Sequence, residues 1–136
     1  MLKKIKPQYL LQLASEASIN AYAPYSNFHV GACALFDDSS TYKGCNVENI
    51  SYGLSLCAER TALSSAVTNG KAKGLIAIAI FSSDSKLCYP CGACRQWMVE
   101  FSKNTVIILE NIDGSPVTYK ISELLPLAFE LTQNPD

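Results

Sequence analysis

The stretch that decides the fold is Leu75-Ile76-Ala77-Ile78-Ala79-Ile80-Phe81, an unbroken apolar run in the middle of the chain. Isoleucine recurs at alternate positions within it, and a run of this length is typical of a strand and short for a helix. A strand that is apolar at every position has both of its faces covered, as in the sheets of α/β domains. The run therefore predicts a central strand with helices on both sides.

Patterns on either side of this run predict the other elements. Helices are expected over residues 7–21, 56–68 and 94–102, with a further segment over 123–129 capped by Ser122. The other strands are expected over residues 30–36, 42–47, 106–109 and 117–120, the first two as an antiparallel hairpin. The tail over 132–136 is expected to fray. This order implies a three-layer α/β/α sandwich with a mixed five-stranded sheet.

Composition limits the class of protein. The chain has 136 residues, which predicts a single domain over residues 1–136. Its net charge is −1 and it lacks a long basic run, so we expect no nucleic acid partner. No stretch of eighteen apolar residues occurs, so no membrane span is expected. An apolar fraction of 49% suggests that other subunits cover part of the surface. The absence of a signal-like N-terminus predicts a cytoplasmic protein with reduced cysteines.

Three cysteines have the spacing of a metal site. Cys91 and Cys94 form a C-x-x-C pair behind Pro90, and Cys57 lies far upstream. A structural zinc site normally fills all four tetrahedral positions with protein ligands, whereas three protein ligands and a water are typical of a catalytic site. Glu59, two residues after the first cysteine, is a carboxylate suited to move protons at that open position. The pattern predicts catalytic zinc.

The spacing also constrains the local structure. Residues two apart in mid-helix point in nearly opposite directions, so Cys57 and Glu59 can face one metal only at a helix start. Free N–H groups and the positive end of the helix dipole favour thiolates there. The same reasoning applies to Cys91 and Cys94, so two helix N-termini are expected to converge on one zinc. Arg60 lies on the ligand side of its helix and can donate hydrogen bonds to thiolate sulfur.

Cys57-Ala58-Glu59 followed by Pro90-Cys91-x-x-Cys94 resembles the zinc-dependent nucleoside and nucleotide deaminases. The first ligand is cysteine and not histidine, which resembles the small three-cysteine cytidine deaminases. Residues 25–32 resemble the Y-S-x-F-x-V-G-A segment of that family, and residues 44–49 resemble its G-x-N-V-E-N segment. The resemblance covers nearly the whole chain.

This resemblance implies an activity and an assembly. The activity is hydrolytic deamination of cytidine and deoxycytidine to uridine and deoxyuridine with release of ammonia, a reaction of pyrimidine salvage. It implies one Zn²⁺ per subunit, Glu59 as the group that transfers protons, and Arg60 as a donor to the thiolates. It also implies a homotetramer with sites at subunit interfaces, in which Tyr52 and Phe129 reach the site of a neighbouring subunit.

Further residues are expected to hold the nucleoside. Asn46 and Glu48 alternate on the predicted second strand and so project to one face. The resemblance implies that they bind the ribose 3′-hydroxyl, that Phe28 packs near the sugar and base, and that the backbone N–H of Ala58 holds O2 of the base. Without the resemblance, Asn46 and Glu48 would be read as solvent-facing strand residues, and Phe28 as part of the core.

Other metal chemistry stays open at this point. A closed four-cysteine structural zinc would add Cys88 to Cys57, Cys91 and Cys94, but it leaves Glu59 without a role. The spacing of Cys88, Cys91 and Cys94 also resembles a ferredoxin-type cluster, for which the fourth cysteine is missing. The remaining cysteines are interpreted as small buried hydrophobes: Cys33, Cys45 and Cys88.

Alternatives of other classes also remain. A cysteine hydrolase with Cys57 as nucleophile would need His29, the single histidine, as its partner. An aminonucleoside deaminase acting on blasticidin S would share the cysteine framework, although Glu48 beside Asn46 favours a free ribose. A non-catalytic module stabilised by zinc is the third alternative. The two aromatics assigned to a neighbouring site, Tyr52 and Phe129, would belong to the core of their own chain if no assembly formed.

Overall fold

The computed structural model describes residues 5–131. The strands are β1 (Val30–Phe36), β2 (Thr41–Cys45), β3 (Leu75–Ser82), β4 (Val106–Glu110) and β5 (Pro116–Lys120). The helices are α1 (Pro7–Ser18), α2 (Ala58–Thr68), α3 (Gly92–Phe101) and α4 (Ile121–Leu124), and a 3₁₀ turn covers Tyr52–Leu54. The tail expected to fray, residues 132–136, lies outside the described residues.

The five strands form one mixed sheet in the order β2-β1-β3-β4-β5. Strand β3 pairs antiparallel with β1 and parallel with β4, and the two outer pairs are antiparallel. The apolar run therefore occupies the centre of the sheet, and every residue of β3 except Phe81 is buried. The prediction of a mixed five-stranded sheet around this strand is confirmed.

Helices cover both faces of the sheet. Along β1, Cys33 and Leu35 pack with Leu10, Leu11 and Ala14 of α1. On the other face, alternate residues of the same strand pack with α2, α3 and α4: Ala32, Ala34 and Phe36. The alternation follows from the two-residue period of a strand. The predicted α/β/α layering is confirmed.

Two glycines allow helices to approach the sheet closely. A Cβ atom on Gly31 of β1 would lie 1.9 Å from the carbonyl oxygen of Ala14 in α1. A Cβ atom on Gly44 of β2 would lie 2.3 Å from the backbone nitrogen of Ala62 in α2. Both contacts are with helix backbone, so only glycine fits at either position. The second contact sets how near α2 lies to β2.

Two predicted elements end earlier in the structure than in the sequence reading. Helix α1 ends at Ser18 and not at residue 21, because the backbone N–H of Tyr22 donates to the carbonyl of Asn46 at 2.9 Å. Strand β2 ends at Cys45, and Val47 then bridges Tyr22 and Leu56 outside the sheet. The prediction that Asn46 and Glu48 alternate on β2 is therefore wrong, since both follow its last residue.

The C-terminal helix also differs from the prediction. It was expected over 123–129 behind Ser122, but α4 has only four residues and its N-cap is Lys120. The carboxylate of Glu123 accepts a hydrogen bond from the Lys120 backbone N–H at 2.8 Å, which fixes the start of the helix one residue before Ser122. The chain leaves the helix at Leu125, and Leu127 has a φ of 54°.

Candidate active site

Two helix starts bring the cysteine ligands together. Cys57 is the N-cap residue of α2, and Cys91 is the N-cap residue of α3, with Cys94 in the first turn after it. The helices were expected to begin at residues 56 and 94. They begin at Ala58 and Gly92 instead, because each leading cysteine has the extended backbone of a cap. The expected convergence of two helix N-termini is confirmed.

The three sulfur atoms form a compact cluster. The Sγ atoms of Cys57, Cys91 and Cys94 all lie within 4.8 Å of one another. Those of Cys57 and Cys91 are 3.7 Å apart. A tetrahedral zinc with Zn–S bonds of about 2.3 Å requires ligand sulfurs about 3.8 Å apart. Among residues 5–131, Cys88 is not a member of this cluster. The donor set and its spacing fit a zinc ion held by three cysteines.

The cluster is tuned by its own hydrogen bonds and by Arg60. Hydrogen bonds, first from the thiol of Cys94 and then from Arg60, lower the pKa of Cys57 to about 5. The same bond to Cys57 raises the pKa of Cys94. The Nη2 atom of Arg60 donates to Cys57 Sγ at 3.4 Å. The Arg60 Nε atom is buried with no hydrogen-bond partner in the described part of the chain. The guanidinium therefore stabilises negative charge on sulfur.

A buried carboxylate lies beside the cluster. Glu59 is in the first turn of α2, and only 4% of it is exposed. Burial raises the pKa of the Glu59 carboxyl to about 7, and the charge of Cys57 adds to the effect. A carboxyl with such a pKa exchanges protons at neutral pH. It is the kind of group that the open position of a catalytic zinc site requires.

The loop over residues 25–29 is held by the two polar residues that follow β2. One carboxylate oxygen of Glu48 accepts hydrogen bonds from the backbone N–H groups of Tyr25 (3.0 Å) and Ser26 (3.1 Å), and the other accepts from the Ser26 hydroxyl. Asn46 donates to the carbonyl of Phe28 at 2.8 Å. The Ser26 hydroxyl bond lowers the pKa of Glu48, which stays ionised at neutral pH.

The aromatic residues expected near a nucleoside are exposed. Phe28 is 37% exposed, Tyr52 74% and Phe129 73%. Tyr52 contacts Tyr25 edge to face at a centroid distance of 5.9 Å. Gln96 of α3 donates to the carbonyl of Phe129 at 3.1 Å, which ties the C-terminal segment to the helix bearing two ligands. The alternative that Tyr52 and Phe129 belong to the core of their own chain is wrong.

The cysteines and the histidine set aside in the sequence have other surroundings. Cys33 is buried, and burial raises the pKa of its thiol to about 12. Cys45 and Cys88 are half-buried, so the prediction of a buried hydrophobe is confirmed only for Cys33. The Nδ1 atom of His29 lies 3.2 Å from a carboxylate oxygen of Asp84, which gives the ring a partner other than Cys57.

Residues 4–110 match the model of the cytidine and deoxycytidylate deaminase zinc-binding region. The chain belongs to this deaminase family. Its relatives include the cytidine deaminase of Halalkalibacterium halodurans, 46% identical over 123 residues, covering 90% of this chain and 92% of that protein. The cytidine deaminase of Mycobacterium tuberculosis is 40% identical over 122 residues, covering 90% and 88%.

Solved structures of the family have the same fold. The crystal structure of cytidine deaminase from Burkholderia pseudomallei is 43% identical, with a TM-score of 0.86, and the match covers 92% of this chain and 100% of that one. Cytidine deaminase from Mycobacterium tuberculosis is 38% identical, with a TM-score of 0.82, covering 93% and 99%. The cofactor of this deaminase is therefore zinc, one ion per chain, in agreement with the cysteine cluster.

Sequence reasoning missed one residue that supports the deaminase site. Arg95 follows the last cysteine, and its Nε and Nη1 atoms donate to the carbonyls of Pro90 (2.7 Å) and Leu124 (2.6 Å). It thereby ties the turn that carries Cys91 to the end of α4. The signal available in the sequence was an arginine adjacent to a buried metal ligand, Cys94, where a charged side chain needs partners.

Proposed function

We propose that this chain is a zinc-dependent deaminase that hydrolyses cytidine and deoxycytidine to uridine and deoxyuridine and releases ammonia, as a step of pyrimidine salvage. The observation that carries the proposal is the pairing of a three-thiol cluster with the buried carboxyl of Glu59, which lies at the same helix start as Cys57. A tetrahedral zinc held by these three thiols would keep one position for water. Membership in the deaminase family supports the same reaction.

Glu59 is proposed to move every proton of the reaction. Cys57, Cys91 and Cys94 would hold the zinc ion, which would supply the Lewis acidity that makes water a nucleophile near neutral pH. Glu59 takes a proton from this water and gives one to N3 of the base as the C4–O bond forms. It then takes the second proton of the same oxygen and delivers it to the amino group, so the C4–N bond breaks and ammonia leaves. Burial raises the pKa of the Glu59 carboxyl, which favours its use both as a base and as an acid.

The neighbours of Glu59 have supporting roles in this proposal. Three thiolates place excess negative charge around a divalent ion, which weakens its acidity. The guanidinium of Arg60 offsets that charge through its hydrogen bond to Cys57 at 3.4 Å. The backbone N–H of Ala58 belongs to the first turn of α2, where N–H groups lack acceptors within the helix. We assign it to O2 of the base.

The sugar is proposed to lie against the residues after β2. Glu48 is ionised, and a carboxylate has about four acceptor positions, so it can accept from a ribose hydroxyl as well as from the loop. Asn46, which holds the same loop, supplies an amide, while Phe28 offers an exposed ring to the sugar and base. The 3′-hydroxyl is present in both ribose and deoxyribose, so the same contacts serve cytidine and deoxycytidine.

The assembly is proposed to be a homotetramer with sites at the subunit interfaces. Large apolar side chains stand exposed on a single chain, among them Ile50 (79%), Leu54 (67%) and Leu127 (103%). Tyr52 and Phe129 lie in the same stretches of sequence, so the surfaces that an assembly would cover carry the two aromatics assigned to a neighbouring site. A monomeric solution mass for a fully active protein would contradict this arrangement.

The setting of the enzyme follows from its chemistry. We propose that residues 1–136 act as one domain in the cytoplasm, where thiols stay reduced, because all six cysteines are free and three of them are required as thiolates. The near-neutral charge offers no attraction to a phosphate backbone. None of the helices between residues 5 and 131 has the length and apolar character needed to span a bilayer. A nucleoside is the proposed partner.

The decisive experiment combines turnover with zinc content. The zinc-loaded protein is incubated with cytidine, and conversion to uridine is followed by absorbance. Glu59→Gln should retain one zinc per chain and lose about 10⁴-fold in kcat, because the amide cannot accept the proton. Glu100→Gln, an exposed residue of α3, is the matched control and should retain full activity. Near-normal deamination by Glu59→Gln would contradict the role given to Glu59.

A second measurement separates the alternatives. Blasticidin S offered in place of cytidine tests the aminonucleoside deaminase reading, which predicts faster turnover of that compound than of cytidine. A zinc-loaded protein that converts neither compound would support a non-catalytic zinc module and would contradict the proposed function.

A further inference from the structure

Side chains bind both backbone polar groups of Phe28. The Phe28 N–H donates to the Ser26 hydroxyl at 3.0 Å, and its carbonyl accepts from Asn46 at 2.8 Å. The N–H of Val30 donates to the same asparagine at 2.9 Å. Phe28 and His29 precede β1, so they lie outside the ladder hydrogen bonds of that strand. Side-chain partners therefore decide where Phe28 lies.

His29, between Phe28 and Val30, is held by residues at the end of β3. The N–H of His29 donates to a carboxylate oxygen of Asp84 at 2.8 Å, and the His29 carbonyl accepts from the Ser82 hydroxyl at 2.8 Å. The same hydroxyl accepts from the N–H of Asp84 at 3.1 Å. The His29 ring adds a contact of 3.2 Å to that carboxylate oxygen. Ser82, Asp84 and His29 form what we call the β3 clasp.

We propose that the β3 clasp positions Phe28 against the nucleoside, with Asp84 as its central positioning residue. The inference rests on the proposed function, in which Phe28 contacts the sugar and base. Asn46 and Glu48 hold the loop from one side, after β2, and the clasp holds it from the other side of β1. The loop is thereby fixed between two strands that flank the strand it enters.

The β3 clasp connects a buried, well-fixed residue, Ser82, to an exposed loop. Ser82 is the last residue of the central strand and is 3% exposed, so the hydroxyl that binds His29 is itself fixed. The loop has little packing of its own, because residues 24–28 are all exposed. A loop that is not held before binding must be ordered by the ligand, which weakens affinity.

The charge of Asp84 favours this role. Its hydrogen bond from the His29 N–H lowers the pKa of the Asp84 carboxyl, so it is a carboxylate at neutral pH and binds the N–H with a charge-assisted bond. Asparagine retains one acceptor oxygen at this position, whereas alanine retains none. The two substitutions therefore separate the loss of charge from the loss of the bond.

The test measures kinetics and amide exchange in the zinc-loaded protein. Asp84→Ala should raise the KM for cytidine about tenfold with kcat within about twofold and one zinc retained, because the loop and not the chemistry is affected. Asp84→Asn should recover most of the KM. Asp38→Ala is the control, since the Asp38 carboxylate also accepts a hydrogen bond from a backbone N–H, that of Ser40 at 3.0 Å, but in the turn at the other end of β1.

Hydrogen exchange tests the clasp without substrate. In Asp84→Ala the amide of His29 should exchange at least about tenfold faster, while the amide of Ile78 in β3 keeps its rate. Unchanged exchange at His29, an unchanged KM, or an equal rise in KM in Asp38→Ala would overturn the proposal. Failure of the unmodified protein to deaminate cytidine would overturn the proposed function instead, and amide exchange would then decide alone whether the clasp holds the loop.

Discussion

A single added methyl group at Gly44 should displace α2, and with it Glu59, without changing any residue of the proposed site. In Gly44→Ala the new Cβ would lie 2.3 Å from the nitrogen of Ala62, 2.4 Å from the hydroxyl of Thr61 and 2.7 Å from the carbonyl of Ala58. Ordinary contacts to a Cβ atom begin at 3.4 Å. Because two of the three neighbours are helix backbone, α2 must move away from β2 by about 1 Å.

Both stability and catalysis should respond to that movement. Overpacking of this kind costs about 3 kcal/mol in the free energy of unfolding, which lowers Tm by about 10 °C in a chain of this size. The first turn of α2 carries Glu59 and follows Cys57, and a displacement of about 1 Å at reacting groups reduces catalysis about 100-fold. We therefore expect kcat/KM for cytidine to fall about 100-fold at full zinc occupancy.

Two further glycine substitutions serve as controls for the assay. Gly53→Ala places its Cβ where nothing lies within 4 Å, so its Tm should match that of the unmodified protein. Gly31→Ala displaces α1, which carries neither a zinc ligand nor Glu59, so Tm should fall while the folded protein keeps its kcat. The reasoning is refuted if Gly44→Ala retains its Tm and kcat/KM, or if Gly31→Ala loses as much kcat as Gly44→Ala.

Three other predictions follow from contacts at the site. Arg60→Gln should weaken zinc binding about 10- to 100-fold in competition with a chelator, because Cys57 loses its cationic donor; unchanged affinity would contradict that role. Arg95→Met leaves the carbonyls of Pro90 and Leu124 without their donor and should lower the free energy of unfolding, measured in urea, by about 2–4 kcal/mol. A decrease below about 0.5 kcal/mol would contradict the stabilising role of Arg95. Removal of zinc by a strong chelator should abolish deamination and lower Tm, and addition of zinc should restore both. Full activity of the zinc-free protein would contradict the requirement for the ion.

The elements that the sequence predicted well are those with a strong local pattern. Strand β1 begins and ends where the apolar run over 30–36 does, and β3 extends one residue beyond the predicted 75–81. The metal ligands were predictable because their spacing is itself the signal. The end of β2 was not predictable, because Val47 leaves the sheet to form bridges with Tyr22 and Leu56, which are distant in sequence.

The supporting residues of the site could not be predicted for a related reason. Asp84 binds the backbone of a residue 55 positions away, and Arg95 binds a carbonyl 29 positions away. Backbone N–H and C=O groups are the same at every residue, so a sequence does not mark which of them a side chain will meet. The sugar contacts stay a prediction, but the strand placement behind them was wrong, because β2 ends before Asn46 and Glu48.

The distribution of the ligands over α2 and α3 has a consequence for how the protein matures. In the sequence, α2 precedes β3 and α3 follows it. The three thiols therefore come together only after β3 has been inserted between β1 and β4. Before that, the C-x-x-C turn can bring together only two members of the cluster, Cys91 and Cys94. Metal loading is thus expected to be a late event, and the ion then acts as a cross-link that resists reopening of the sheet.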